Sequence, residues 1–326
     1  MMFQNLKQNR SLIMGLAIFW VAFYHIPWID RAPWLDFLHN IGYIGVDIFL
    51  FLSGMGVCHS VRSRGREGYL IQRARRILPG LMPVVLIWSV AMLCIGMMNI
   101  EEFFGSVTLL GWWFGQSKQL NWYFSAVWMF YLLGAGLYKP VVKGKHPVLV
   151  VLLVSWLSCL AMILSPYHYH AECFTRVPIF LIGMLLGRLE LRGNTNERLL
   201  RGVLYGLLPL GLFLTVMTFH SWGEDWGLYA GLWWYPFLLV VPGLVFLVSD
   251  GVQWLRKLKV TAALLRPMEW LGEASSEALM FHVGIYKLIQ LYTDLYPIQW
   301  VVVMLLCLGL GVLYHRLIVR RLPIHA

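Results

Sequence analysis

Charged residues are scarce in this chain. Asp, Glu, Lys and Arg make up 13% of its 326 residues and hydrophobic residues make up 59%, whereas soluble domains average about 25% and about 45–50%. A soluble fold of this length has too little interior to hide so much apolar surface. The composition therefore excludes a soluble globular protein and predicts an integral membrane protein embedded in a lipid bilayer.

The sequence also lacks any polar stretch long enough to form a soluble domain. We therefore expect residues 1–326 to form a single membrane-embedded domain. The basic N-terminus precedes an apolar run, as in a signal peptide, but no small-residue cleavage site follows it, so we expect a retained first helix. The inverted pairs of Gly- or Pro-broken helices that mark many transporters are not evident.

Metal-ligand and disulfide patterns are missing as well. The chain has five cysteines, without a CxxC or a Cys/His ligand spacing, so we expect small core thiols, no disulfide framework and no metal site. His168 and His170 form an H-x-H pair, which we interpret as part of a solvated outer loop. The net charge is +10, but no nucleic-acid-binding motif accompanies it, so we expect no nucleic acid partner.

What the chain does have is a series of apolar runs long enough to span a bilayer, which takes about 20 residues. They predict an all-α, polytopic fold of about ten transmembrane helices, at residues 11–28, 41–60, 79–98, 119–138, 147–165, 174–191, 202–219, 230–249, 268–288 and 298–316. The stretch 103–116 is too short to span, and we expect it to lie in the interface or to re-enter the membrane.

The distribution of basic residues predicts the orientation. With both termini inside, nearly all of the 26 Lys and Arg residues fall on the inner side, and the exceptions are Arg31, Lys118, Arg176 and Lys287. This asymmetry predicts a topology with the N-terminus and the C-terminus in the cytoplasm. It also accounts for the positive net charge, because basic loops face an anionic leaflet. We therefore expect a multi-pass protein of the inner, cytoplasmic membrane.

Two ionisable residues lie in the first two apolar runs, His25 and Asp47. A charge at the bilayer centre costs roughly 2.5–3.5 kcal/mol, so such residues are functional candidates. The two runs are joined by a short connection, which predicts that both side chains lie in the outer half of the membrane. Asp47 can then fix the tautomer of His25 and leave the other ring nitrogen as a base. The alternative is a polar contact that only packs two helices.

An arginine-rich inner loop follows the second run. It carries Arg73, Arg75 and Arg76 among six arginines within residues 62–76. Guanidinium groups bind phosphate oxygens bidentately, so one interpretation is a site for a cytosolic anionic ligand. Topology alone and contact with anionic lipids are the two alternatives.

A stripe of carboxylates marks the predicted ninth helix. Glu269, Glu273 and Glu277 recur every four residues, and His282 follows deeper in the run. On one continuous helix they share a face, which must point at protein or water rather than at lipid. Packing is the alternative for His282, and the cytoplasmic start of the helix is the alternative for Glu269.

Several motifs follow one another along the chain. They are His25 at the end of GLAIFWVAFYH, Gly42, Gly45, Val46, Asp47, Phe49, Ser53 and Gly54 in the pattern G-x-x-G-V-D-x-F-x-x-x-S-G, Arg73, Arg76 and Pro79, Trp122, Tyr123 and Tyr131, the segment RVPIFLIGMLLG from Arg176, and LGEASSEALMFHVGI. In this order they resemble the acyltransferase 3 family of integral membrane acyltransferases. The resemblance covers most of the chain and is most specific in the G-x-x-G-V-D pattern.

This resemblance implies a ten-helix domain that uses a cytosolic acyl-CoA, commonly acetyl-CoA, as its donor. It implies that His25 is the base or acyl-handling residue, and that Arg73 and Arg76, with Arg75 beside them, handle the donor. Trp122, Tyr123, Arg176, Glu273 and His282 become candidates for substrate binding. Many members carry an arginine where this chain has Met14, and we expect Arg10, one turn earlier, to replace it.

The resulting functional hypothesis is an O-acyltransferase that moves an acyl group, most simply acetyl, from acyl-CoA to a hydroxyl of an envelope glycan or glycolipid. No metal is expected. One alternative is a proton-coupled transporter or exporter of an envelope precursor, with His25, Asp47 and the acids of the predicted ninth helix in a proton relay. A second alternative is a structural partner in an envelope assembly, which predicts that His25 tolerates substitution.

Overall fold

The chain is all-helical in the computed structural model, which describes residues 2–27, 33–116, 120, 122–221, 235–257 and 262–322. Within those ranges there is no strand. A helix satisfies its backbone N–H and C=O groups inside one segment, and lipid offers those groups no other partner. Apolar runs of this length are therefore expected to become helices.

The helices are numbered here in chain order. They are α1 (Met2–Tyr24), α2 (Pro33–Asn40), α3 (Ile44–Cys94), α4 (Ile100–Val107), α5 (Trp122–Leu137), α6 (Pro147–Leu164), α7 (Ala171–Phe174), α8 (Val177–Arg192), α9 (Glu197–Ser221), α10 (Phe237–Arg256), α11 (Ala262–Glu273), α12 (Ser275–Tyr292) and α13 (Pro297–Leu317). Short 3₁₀ turns lie at Ile41–Tyr43, Gly111–Phe114, His168–His170 and Val319–Arg321, and a π-helical turn lies at Tyr138–Lys143.

Each of the ten segments predicted to span the membrane overlaps a helix; 41–60 and 79–98 overlap the same helix, α3, and 268–288 overlaps both α11 and α12. Six helical stretches in the described ranges are long and apolar enough to cross a membrane by length and composition. They are Trp34–Cys94, Trp122–Lys143, Pro147–Leu164, Glu197–Thr218, Phe237–Arg256 and Pro297–Arg321. The prediction of an all-helical membrane protein is confirmed. The count of ten spans and the inward position of both termini stay predictions.

The arginine-rich segment predicted as a loop is helical, which is a correction. Helix α3 is 51 residues long and runs through this segment, with a single break at Gly65, where φ is 73° and ψ is 178°. Arg, Gln, Glu and Leu are good helix formers, so a high charge density does not interrupt a helix. The break needs a glycine, because this backbone region is closed to side chains.

The short segment 103–116 folds as two separate pieces, α4 and the turn Gly111–Phe114. The start of α4 is capped by Asn99 and Glu102. The Asn99 side chain accepts from the Glu102 backbone N–H at 2.8 Å, and the Glu102 carboxylate accepts from the Asn99 N–H at 3.0 Å. This capping box supplies the hydrogen bonds that a helix start lacks. The segment is therefore not one long helix.

The chain divides into two compact units. Unit 1 comprises Met1–Arg10, Asp47–Leu70 and Met129–Thr261, and unit 2 comprises Ser11–Val46, Ile71–Trp128 and Ala262–Ala326. Unit 2 therefore holds His25, the arginines from Arg73 to Arg76, and His282. Unit 1 holds Asp47 and Arg176. The single membrane domain predicted over residues 1–326 stays a prediction.

Close backbone contact positions the first helix within unit 2. A Cβ atom at Gly272 would overlap the carbonyl group of Ser11, and one at Gly15 would overlap the carbonyl group of Met268. Helices α1 and α11 therefore touch backbone to backbone, which only small residues allow. This contact fixes the course of α1 toward His25, which follows its last residue.

Candidate active site

His25 lies directly after α1, in the turn that closes this helix within unit 2. Its Nδ1 is 2.8 Å from the carbonyl oxygen of Val21, one turn earlier. A carbonyl oxygen can only accept a hydrogen bond, so we assign the proton of the neutral ring to Nδ1. The lone pair then lies on Nε2. Among the described residues the side chain is exposed, so a reacting group can reach the ring.

His282 on α12 is the second member of the pair, and its side chain is 0% exposed. Its Nδ1 is 2.8 Å from the carbonyl oxygen of Ala278, so the same reasoning places its proton on Nδ1. Its Nε2 therefore presents a lone pair, 3.3 Å from Nδ1 of His25. Donor and acceptor match, because the N–H of His25 is shared between the Val21 carbonyl and His282.

This arrangement determines what the pair can do chemically. If Nε2 of His25 takes up a proton, the ring becomes an imidazolium and keeps its N–H at Nδ1. That N–H still points at two acceptors, the Val21 carbonyl and the lone pair of His282. Hydrogen bonds from charged donors are stronger than neutral ones, so both acceptors stabilise the protonated state. His25 is thus built as a base with an orienting partner.

An aromatic ring packs on each histidine of the pair, and a third histidine bonds to the residue after His25. The Tyr24 ring packs edge-on to His25 at a centroid distance of 5.2 Å, and the Tyr286 ring packs edge-on to His282 at 5.5 Å. His39, on α2, places its Nε2 3.0 Å from the carbonyl oxygen of Ile26. His39 is not among the site residues predicted from the sequence. The sequence signal that indicates His39 is its position on the polar side of a short amphipathic helix.

Asp47 lies in the first turn of α3 and has its partner inside unit 1. Its Oδ2 is 3.6 Å from Nε of Arg176, and both side chains are 2% exposed. Arg176 precedes α8 and also donates to the backbone carbonyl of Glu172. Burial raises the pKa of the Glu172 carboxyl group in α7, and the Arg176 charge opposes that rise. Arg176 is thus a buried cation among acids.

The role predicted for Asp47, orienting His25, stays a prediction. The two residues belong to different units, and each has a described partner in its own unit. The tautomer of His25 already follows from the Val21 carbonyl. The structure therefore explains the orientation of the ring without Asp47.

The arginines predicted to bind a donor project from α3 within unit 2. Arg75 and Arg76 are exposed, and Arg73 is partly buried. One turn after Arg76, α3 lies against α12 at Gly80, where a Cβ atom would be 3.4 Å from the Glu277 carboxylate. Further along, α3 meets the same helix again at Trp88, which lies against Gly284. The two helices therefore run in the same direction.

The separation of the arginines from the histidine pair can be read from these contacts. From Arg76 to Gly80 the rise is about 6 Å, and from Glu277 to His282 it is about 7 Å. Arg76 thus lies about 13 Å from the pair along the helix axes, and Arg73 lies about 4–5 Å farther away. Unit 2 alone brings together a candidate base and a candidate anion site.

The carboxylate stripe predicted on one face is interrupted, which is a second correction. Helix α11 ends at Glu273 and α12 begins at Ser275. Glu273 is exposed, whereas Glu277 is 3% exposed. Glu277 accepts from Ser276 at 2.8 Å and lies 3.3 Å from Nδ1 of His315. The break gives the two carboxylates different surroundings, so they do not act as one surface.

The remaining predicted site residues are Arg10, Trp122 and Tyr123. Arg10 donates to the carbonyl oxygen of Leu52 at 3.2 Å within unit 1. Trp122 and Tyr123 begin α5 in unit 2, and the Trp122 ring lies 5.9 Å from the Trp112 ring. Their roles in binding donor or acceptor stay predictions. In the part of the chain with described positions, no cluster of three or more His, Cys, Asp or Glu residues could hold a metal ion.

Comparison with known proteins agrees with the resemblance seen in the sequence. The model of the acyltransferase domain family, acyltransferase 3, matches residues 12–316, which is nearly the whole chain. No curated protein and no solved structure matches the chain. Together with the apolar helices, the family match indicates a multi-pass membrane acyltransferase. The chain belongs to the acyltransferase 3 family.

Proposed function

We propose that this protein transfers an acyl group, most simply acetyl, from acyl-CoA to a hydroxyl of a cell-envelope glycan or glycolipid. The observation that carries this proposal is the histidine pair. Nε2 of His25 is left as a base, because Nδ1 faces the Val21 carbonyl and His282. Membership in the acyltransferase 3 family supports the class of reaction.

The reaction proceeds by direct attack at the thioester. Nε2 of His25 takes the proton of the acceptor hydroxyl while the hydroxyl oxygen forms a bond to the acyl carbon. The carbon–sulfur bond breaks, and the thiolate of CoA then receives the proton from Nε2. General base catalysis of this kind contributes roughly 10²–10⁴-fold. His282 stabilises the transient imidazolium, because its lone pair faces Nδ1 of His25.

The donor binds from the inner side, at the arginines of α3. CoA carries its phosphates at one end and the thioester at the end of a long, flexible arm. Arg73, Arg75 and Arg76 suit the phosphates, since guanidinium groups bind phosphate oxygens bidentately. The distance of about 13 Å from Arg76 to the histidine pair is one that an extended arm bridges along α3 and α12.

The remaining assignments rest on the sequence. Arg10 is proposed to replace the donor-side arginine absent at Met14, and Asp47 to support His25 electrostatically. Trp122, Tyr123, Arg176 and Glu273 are proposed to line the path of donor or acceptor. The protein would lie in the cytoplasmic membrane with both termini inside, as its basic residues predict.

Calorimetry on the purified protein tests the donor. We expect saturable binding of CoA and transfer of labelled acetyl from acetyl-CoA to an extract of envelope glycans. Mass spectrometry of these glycans, with and without the protein, then identifies the acceptor through the added acetyl mass. Absence of both CoA binding and acetyl transfer would contradict the proposal and favour proton-coupled transport through the same histidines.

A further inference from the structure

A second basic element lies beside the arginines of α3 in unit 2. After α13 ends, the turn Val319–Arg321 carries Arg320 and Arg321, which are both exposed. Val319 is 1% exposed. A Cβ atom at Gly80 would lie 3.1 Å from its Cγ2. This turn is therefore packed against α3, one helical turn from Arg76.

A hydrogen bond secures the same junction. The Tyr314 hydroxyl donates to the carbonyl oxygen of Gly80 at 3.1 Å. The end of α13 is thus held to α3 at two points, the Tyr314 hydroxyl and the Val319 side chain. The two exposed arginines that follow are consequently anchored in position rather than carried on a free tail.

The four exposed arginines near this junction have no compensating partner in the described residues. The side chains of Arg75, Arg76, Arg320 and Arg321 form no hydrogen bond or ion pair with another described residue. Neighbouring like charges repel one another, and a bound anion removes that repulsion. Topology explains each arginine singly, but it does not require two elements to be anchored together.

We propose that Arg320 and Arg321 bind the 3′-phosphate of the CoA donor, which rests on the function proposed above. CoA has two separate anionic groups, a pyrophosphate attached to the thioester arm and a phosphate on the ribose. The pyrophosphate must lie nearer the histidine pair, because the arm joins it to the thioester. The arginines of α3 suit the pyrophosphate, and the arginines of the separate turn suit the ribose phosphate.

Dephospho-CoA, which lacks only the 3′-phosphate, makes this proposal testable. In the full-length wild-type protein, calorimetry is expected to show CoA binding roughly tenfold or more tightly than dephospho-CoA. In the double variant Arg320→Gln with Arg321→Gln, both ligands should bind with the affinity that the wild type has for dephospho-CoA. Removing the 3′-phosphate and removing the two arginines should therefore not weaken binding additively.

A matched control removes two other arginines from the predicted inner face. Arg192 and Arg198 are exposed and belong to unit 1. The double variant Arg192→Gln with Arg198→Gln loses the same net charge, and it should keep the preference for CoA. A loss of preference in this control as well would overturn the proposal, since general charge would then explain the effect.

The remaining outcomes separate this proposal from the function itself. A preference for CoA that survives in the Arg320→Gln, Arg321→Gln variant would overturn the proposal while leaving the acyl-CoA donor in place. If that variant also bound vesicles of phosphatidylglycerol less well, the two arginines would be assigned to anionic lipid instead. A wild-type protein that binds neither CoA nor dephospho-CoA would overturn the proposed function together with this inference.

Discussion

Two pairs of ionisable side chains, one in each unit, differ in exposure and in chemistry. In unit 1, Asp47 and Arg176 are a carboxylate and a guanidinium, 3.6 Å apart and both 2% exposed. In unit 2, His25 and His282 are two bases with nitrogens 3.3 Å apart. His282 is buried, but His25 is exposed. The first pair neutralises its own charges, and the second leaves a lone pair available.

The difference separates two uses of ionisable residues in a membrane protein. A buried pair of opposite charges is locked, because removing either partner leaves an unpaired charge in a low-dielectric environment. A histidine pair has no net charge to protect and can gain or lose a proton. The partner of an ionisable residue in an apolar run therefore indicates whether that residue stabilises the fold or exchanges a proton. Substitutions at four positions test this difference between the pairs.

The largest effect is expected at the exposed member of the unit 2 pair. His25→Ala removes Nε2, so acyl transfer should fall by roughly 10²–10⁴-fold while CoA binding is retained. Turnover of labelled acetyl-CoA by purified protein measures the loss. His168→Ala, at an exposed histidine on the turn before α7, serves as the control and should keep normal turnover. Near-normal turnover of the His25 variant would remove His25 from the active site.

The unit 1 pair should respond in stability. Asp47→Ala leaves the Arg176 guanidinium buried without its carboxylate, which should lower the free energy of unfolding by about 3–5 kcal/mol. Thermal unfolding in detergent measures the change. The double variant Asp47→Leu with Arg176→Met removes both charges and should recover most of the stability. A single variant that is inactive but as stable as the wild type would instead support the catalytic role predicted for Asp47.

His282 is expected to show a smaller, kinetic effect. His282→Ala removes an acceptor for the His25 imidazolium, and a hydrogen bond to a charged group contributes about 1.5–3 kcal/mol. We therefore expect kcat to fall roughly 10–100-fold with an unchanged KM for acetyl-CoA. His282→Gln supplies a carbonyl oxygen as a new acceptor and should restore part of kcat. A raised KM for the acceptor at constant kcat would return His282 to the substrate-binding role predicted from the sequence.

The helices were predictable from the sequence because their signal is local. Runs of about 20 apolar residues coincide with helices, including the run that contains His25. The exception was the arginine-rich segment, where charge was interpreted as a loop. Charge affects where a helix lies relative to a membrane, whereas the backbone breaks only at Gly65, where it adopts a conformation closed to side chains.

The pairings were not predictable, because partners lie far apart in the chain. His282 is 257 positions from His25, and no local pattern connects them. The sequence predicts that Asp47 meets His25, which stays a prediction, but nothing in it indicates the contact between Asp47 and Arg176. Arg176 was found only through the family resemblance. A single sequence identifies the ionisable residues that are costly to place in apolar runs, but not which of them contact one another.

The smallest effect is expected at a cluster of three side chains in unit 1, where Glu190 lies between two basic partners that are open to water. Glu190 is 9% exposed and lies 2.6 Å from Nζ of Lys7 and 2.8 Å from Nε2 of His59. The Lys7 side chain is 61% exposed and that of His59 is 36% exposed. After Glu190→Gln, both partners can be solvated, so the free energy of unfolding should fall by only about 1 kcal/mol or less. Thermal unfolding at low and high salt measures this, and the difference from the wild type should shrink as salt screens the exposed charges. A loss as large as that of Asp47→Ala would show that the exposure of the remaining partner does not decide the cost, and would remove the physical basis for treating Asp47 and Arg176 as a locked pair.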